Sequence, residues 1–323
     1  MATTGNPSAP LTAQGAQSRT KAKGLSLGAR IMRDRWMYLF IIPGALYFLA
    51  FQYLPLLGNI IAFKDYSPYI GILESPWTGF TNFQRLFTDV DFKTALKNTL
   101  VIEILQLIFS FPAPLILALI LNSVFNERIK RAMQSIVYLP YFLSWVVVIA
   151  LWQQILGGAG VLNQLLRNNG MDVINIMNNP GTFKFLVIAE SIWKNAGWGT
   201  IIFLAALTKV DTELYEAGAV DGAIGWRRLW HITLPSIRGI IVLLLILRLG
   251  QALSTGFEQY YLQRGAVGAE ASEVLDTFTY FRGIQGGDWG FATAVGLVRG
   301  VVGTLLVVGS NWVSKRFGEE GVY

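Results

Sequence analysis

Residues 216–235 read EAGAVDGAIGWRRLWHITLP, a mostly polar stretch set between two long apolar runs. Just upstream, Asp211 or Thr212 can accept hydrogen bonds from the free N–H groups of a helix start, and Glu213 and Glu216 suit its positive end. Leu214, Ala217 and Val220 recur at helical spacing, while Gly218 and Gly222 sit four residues apart and let another backbone come close. Asp221-Gly222 marks a turn, because glycine takes positive φ without a Cβ penalty. A second short helix, Trp226 to Ile232, then leads to Leu234-Pro235, where proline fits the first turn of the helix that follows. Taken alone, the first half fits an ordinary amphipathic connector equally well. What it connects decides the matter.

The chain has 323 residues, 53% of them hydrophobic and 14% charged, with a mean hydropathy of +0.46. Soluble domains carry about 25% charged residues, so this is the composition of an all-α polytopic membrane protein. There is no cysteine, which removes a disulfide framework, a thiolate metal site and a cysteine nucleophile. The single histidine, His231, lies in the connector itself, so neither a histidine metal centre nor histidine acid–base catalysis is expected. The net charge of +6 raises nucleic acid as a partner, but the basic residues are spread over membrane-flanking segments, as the positive-inside rule requires.

Six apolar runs come near the ~20 residues that cross a bilayer. They lie at about Trp36 to Phe63, Thr99 to Leu121, Ile136 to Leu156, Phe185 to Leu207, Ile232 to Leu253 and Ala292 to Val313. Pro43, Pro55, Pro112, Pro114 and Pro140 fall within or near them and predict kinks. Residues 1–35 form an expected disordered, basic cytoplasmic tail, and 36–323 a transmembrane domain whose connector occupies 211–235. Placing both termini in the cytoplasm puts 14 Lys and Arg inside and 8 outside, with the connector inside. The outer segment 256–291 carries Glu258, Glu270, Glu273, Asp276 and Asp288 beside Tyr260, Tyr261, Tyr280 and Phe281; it fits either a rim for an external protein or a solvated loop with interfacial aromatics.

Among the charges inside predicted spans are Glu190, Lys194, Arg238, Arg248 and Arg299. Each costs at least ~2.5 kcal/mol at mid-helix, so each needs a polar neighbour. Glu190 and Lys194, four apart, are expected to pair along one helix face, and Arg238 to reach back to the interface. An aqueous path for a solute with rings and hydroxyls needs flat apolar faces for the rings, and amides or guanidinium groups for hydroxyls and carboxylates. Trp193, Asn195, Trp198, Arg248, Gln251 and Arg299 supply that chemistry, although tryptophan in a membrane helix more often packs than binds a solute. No G-x-x-x-x-G-K-[ST] occurs, so the chain brings no P-loop of its own.

Glu216, Ala217, Gly218, then Gly222, then Ile232, Leu234 and Pro235 resemble the EAA loop of ABC importer membrane subunits, whose pattern is E-A-A, three residues, G, nine residues, I-x-L-P. Gly218 departs from it, standing where alanine is usual. From the first span onward the chain resembles the MetI-like, sugar-type permeases, above all those for complex or oligomeric saccharides, acidic alginate-like polymers included. That resemblance implies a second permease subunit, two ATP-binding subunits holding ATP and magnesium, and an extracytoplasmic solute-binding protein, in the bacterial inner membrane. It implies that Glu216, Ala217, Gly218, Asp221, Gly222, Trp226 and Arg227 meet the ATPase. A stand-alone secondary carrier is the alternative, and would call for paired intramembrane acids and repeat symmetry.

Overall fold

The computed structural model of the chain describes residue 28, residues 32–316, and residues 318 and 321. Most of the expected tail, 1–35, therefore lies outside the described residues. Two compact units are distinguished, 1–57 and 58–323. In the first, α1 (Arg35–Phe48) runs on into a π turn, Leu49–Tyr53. No described residue up to position 57 is buried, and nearly all are apolar, which suits a helix solvated by lipid.

The second unit is helical, with no named strand among its described residues. Its main helices are α2 (Val90–Leu105), α3 (Pro112–Asn122), α4 (Glu127–Tyr138), α5 (Trp145–Leu156), α6 (Phe183–Leu207), α7 (Thr212–Val220), α8 (Arg238–Gly250), α9 (Glu258–Val267), α10 (Leu275–Thr279) and α11 (Trp289–Arg316). Among the described residues four runs are long and apolar enough to cross a membrane: Arg35–Phe63, Val90–Asn122, Trp145–Asn168 and Trp289–Arg316. A fifth is a bent pair, Trp226–Ser236 with Arg238–Gly250, turning through 64°. The 25 residues of α6 are long enough, but Glu190, Lys194 and Asn195 make it more polar. Helical segments thus fall at all six expected positions.

Prolines shape these helices in a repeated way. The π turns Leu49–Tyr53, Gln106–Ser110 and Leu229–Thr233 each end two residues before a proline, at Pro55, Pro112 and Pro235. A proline ring crowds the carbonyl four residues back and offers no N–H, and a turn widened by one residue relieves both faults. Pro140 acts more severely. The third expected span, Ile136 to Leu156, is broken: α4 ends at Tyr138, a 3-10 turn covers Leu139–Phe142, and Ser144 caps a fresh start at Trp145. Pro43, by contrast, sits inside α1 without interrupting it.

Three apolar clusters hold the second unit together. One joins Leu86, Phe92 and Ala95 to Leu275, Phe278, Phe291 and Val295. Another sets Ile102 on α2 against Phe183, Val187 and Ile188 on α6 and Tyr260 on α9. The third packs Ala118 and Leu121 on α3 against Phe203, Leu204 and Leu207 on α6. Backbones approach closely where glycine permits: a Cβ on Gly197 would overlap the Val137 carbonyl oxygen, and one on Gly303 would lie 2.8 Å from that of Gly250.

The segment 256–291 is largely an internal part of the fold rather than an acidic, aromatic rim. Tyr260 is fully buried, Glu273 pairs with Arg264 at 2.7 Å, and Asp276 pairs with Arg299 at 2.7 Å. Asp288 pairs with Arg85 at 2.5 Å and with Arg282 at 3.3 Å. Burial pushes the Asp288 carboxyl up, but the hydrogen bond and charge of Arg85, with Arg282 beside it, outweigh this and hold it below its ordinary range. Arg264 and Arg282 within the segment, and Arg85 and Arg299 from outside it, neutralise these three acids, so the segment folds inward. Glu258 and Glu270 alone of the five acids remain exposed.

Candidate functional site

The connector folds as a closed hairpin of short helices. The Asp211 side chain caps α7 by accepting the Glu213 N–H at 2.9 Å. At the other end Gly222 takes φ +72°, the Ala223 N–H reaches the Gly218 carbonyl at 2.7 Å and the Gly222 N–H that of Ala219 at 3.2 Å. This is a Schellman end, the reason a glycine stands at 222. Gly225, at φ +54°, starts the second short helix, Trp226–Arg228. The π turn after it carries Ile232 back onto α7, where a Cβ on Gly218 would overlap Ile232 Cδ1. The departure from alanine at 218 thus has a local cause: the side chain of Ile232 fills the space. Tyr215 Oη donates to Thr233 Oγ1 at 3.4 Å, and the Arg228 guanidinium lies 5.7 Å from the Tyr215 ring centroid.

Closing the hairpin this way turns its other face outward. Glu216, Ala217, Asp221, Gly222 and Arg227 are all exposed, whereas Gly218 is buried inside the hairpin. Val220 is 90% exposed, Ile224 73% and Trp226 71%, and Trp230 packs edge-on against Trp226 with centroids 5.9 Å apart. The helical stripe Leu214, Ala217, Val220 therefore does not serve the core of this chain. It is a small, rigid, apolar surface with a carboxylate and a guanidinium beside it.

Inside the bundle, the expected pairing of Glu190 with Lys194 does not form. Lys194 Nζ donates instead to the carbonyls of Tyr141, at 2.9 Å, and Leu143. These belong to the break that Pro140 opens between α4 and α5, so the lysine caps carbonyls that the broken helix leaves free. Glu190 is fully buried and accepts from Gln259 Nε2 and Gln263 Nε2, each at 2.8 Å, tying α6 to α9. Adjacency on one helix face was a sound reason to expect a pair; broken backbone on one side and two glutamines on the other compete better.

The six pathway candidates separate into three groups. Asn195, Arg248 and Gln251 line one cavity of about 370 Å³ between α2–α3, α6 and α8, together with Gln106, Ser110 and Ser191. Arg299 faces two other hollows, one of which Gln251 also borders, and is held by Asp276 and by Ser254 Oγ at 2.7 Å. Trp193 and Trp198 line none of these three: Trp198 stacks flat on Tyr141 with centroids 4.5 Å apart, and Trp193 meets Trp152 edge-on at 6.5 Å. A member the sequence reading passes over is Glu103. It lies within the second span and pairs with Arg248 at 2.9 Å, beside Gln106. Its signal was present, an acid amid apolar residues, but its partner lies 145 residues away.

A family model described as "Binding-protein-dependent transport system inner membrane component" matches residues 110–319. Protein LplB of Bacillus subtilis (strain 168) is 47% identical over 305 residues, covering 94% of this chain and 96% of that protein. The polygalacturonan/rhamnogalacturonan transport system permease protein YteP of the same organism is 45% identical over 304 residues, covering 94% and 95%. A chain in the crystal structure of a bacterial alginate ABC transporter, in complex with an alginate pentasaccharide-bound periplasmic protein, superposes with a TM-score of 0.84 at 38% identity, covering 92% of this chain and 99% of that one.

Proposed function

The chain belongs to the family of binding-protein-dependent transport system inner membrane components, the permease subunits of ABC importers, and on that premise we propose that it carries an acidic oligosaccharide of the polygalacturonan or alginate kind. Support for this cargo comes from the names of two relatives and from a largely apolar cavity into whose wall amides, hydroxyls and one arginine are set, apolar faces for sugar rings and polar groups for hydroxyls and carboxylates. The cargo reaches it on a solute-binding protein, and a second permease subunit completes the path. Two ATPase subunits, holding ATP and magnesium, supply the work. Both termini and the connector lie in the cytoplasm, with lipid around the spans.

The observation that carries the mechanism is the connector hairpin, closed by its own caps and by Ile232, with Val220, Ile224, Trp226 and Trp230 turned outward. Such a face suits a groove in another protein. Docked there, it moves as one body with the ATPase dimer and transmits that motion through Pro235 into α8. Transport then alternates the access of the cavity, each state favoured in turn by nucleotide.

Reconstituting the chain with its co-purifying subunits tests this. Gly222→Pro breaks the Schellman end and Glu216→Lys reverses a charge on the exposed face. Both variants should insert and assemble, yet lose cargo-stimulated ATP hydrolysis by at least about tenfold. Unchanged stimulation in the Gly222→Pro complex would remove the hairpin from the mechanism.

A further inference from the structure

One ion pair joins the second span to the fifth. Arg248 Nη2 donates to Glu103 Oε2 at 2.9 Å and also to Gln106 Oε1. Both contacts leave from the same nitrogen, and among the described residues Nε and Nη1 make no hydrogen bond. The Glu103 side chain keeps 9% of its exposure and that of Arg248 28%, so the arginine is the more open of the two. Both Arg248 and Gln106 border the 370 Å³ cavity, and in the same wall Ser110 Oγ is buried without a hydrogen-bond partner.

A cation alone in a membrane interior is costly, so an arginine meant to meet a carboxylate needs an anion while the cavity is empty. Glu103 provides it through one nitrogen, and the planar fork of the guanidinium keeps donors for a second acceptor. A transporter also faces the opposite demand, because a cargo gripped too tightly does not leave. A carboxylate paired with the arginine meets that demand by repelling the carboxylate of the cargo.

Resting on the acidic-oligosaccharide reading above, we propose that Arg248 selects the carboxylate of a uronate through its Nε and Nη1 donors, and that Glu103 is a positioning residue that fixes the guanidinium and weakens its grip enough for release. Selection is then for charge at one ring of the cargo. Ser110, Asn195 and Gln251 offer partners to hydroxyls of any sugar.

The test uses the assembled complex in lipid nanodiscs without binding protein, and compares equilibrium binding of trigalacturonate with that of its methyl ester, in which the same rings carry no charge. The wild type should prefer the acid. Arg248→Gln should bind the acid no better than the ester, and Arg248→Lys, which keeps the charge but not the fork, should retain a reduced preference. Glu103→Gln keeps an acceptor for Arg248; it should tighten binding of the acid about tenfold, leave the ester within about twofold, and slow cargo turnover. Weaker acid binding in Glu103→Gln, or an undiminished preference in Arg248→Gln, overturns the proposal. A wild-type preference with both variants unchanged overturns this inference alone, whereas a wild type with no preference overturns the substrate reading with it.

Discussion

Gly218 shows how much one atom decides in the connector. Alanine in a helix is worth up to ~1 kcal/mol over glycine, yet here its methyl would strike Ile232 Cδ1. Gly218→Ala alone should therefore lower stability by roughly 0.5–1 kcal/mol, and raise it by a similar amount once Ile232→Val has removed that carbon. Thermal denaturation of the four proteins of this cycle reads the reversal of sign. Equal effects in both backgrounds would mean that residues 218 and 232 do not compete for space. The Asp221-Gly222 turn and a cap at Asp211 or Thr212 were legible in the sequence because they depend on residues within three positions of each other, and the structure chooses Asp211. The claim of Ile232 on the space at 218 was not, since it crosses fourteen residues and a π turn.

At the level of elements, length and apolarity marked where helices lie, and proline marked where they fail. The manner of failure was hidden. Pro55, Pro112 and Pro235 follow widened turns, while Pro140 breaks its helix and leaves carbonyls that a lysine from α6 must satisfy. Removing that lysine by Lys194→Met should cost about 1–3 kcal/mol, as two part-buried carbonyls lose a charged donor. Because Glu190 holds glutamines instead, Glu190→Gln and Lys194→Met should be additive within about 0.5 kcal/mol in a double-mutant cycle. A coupling above about 1 kcal/mol would restore the i, i+4 pair that their spacing suggests. Glu103 carries the same lesson: its chemistry was visible, but its meaning waited for the helix that brings Arg248 to it.

For the whole molecule, composition and one loop pattern sufficed for class and family, because both are properties of sequence alone. Which polar groups share a cavity depended on how α2, α3, α6 and α8 turn about one another, and only three of six candidates meet there. Topology is open to direct measurement, since the chain has no cysteine to confuse labelling. Ile224→Cys and Glu258→Cys both replace exposed residues, one in the connector and one at the start of α9. In intact spheroplasts an impermeant maleimide should label position 258 and leave 224 unmodified until the membrane is opened. The reverse pattern would turn the protein over and take the hairpin away from any cytoplasmic ATPase.

The 64° elbow at Ile237 makes the fifth span a bell crank, with the hairpin on its short arm and α8 as its long one. Arg248 sits eleven residues beyond the pivot, about 16 Å along the axis. A swing of only about 10° about that pivot carries the guanidinium nearly 3 Å, more than the slack in a hydrogen bond. Under the docking proposed above, a push on the hairpin would therefore reset the distance between Arg248 and Glu103 on α2, linking the short arm of the crank to the hold of the arginine on cargo.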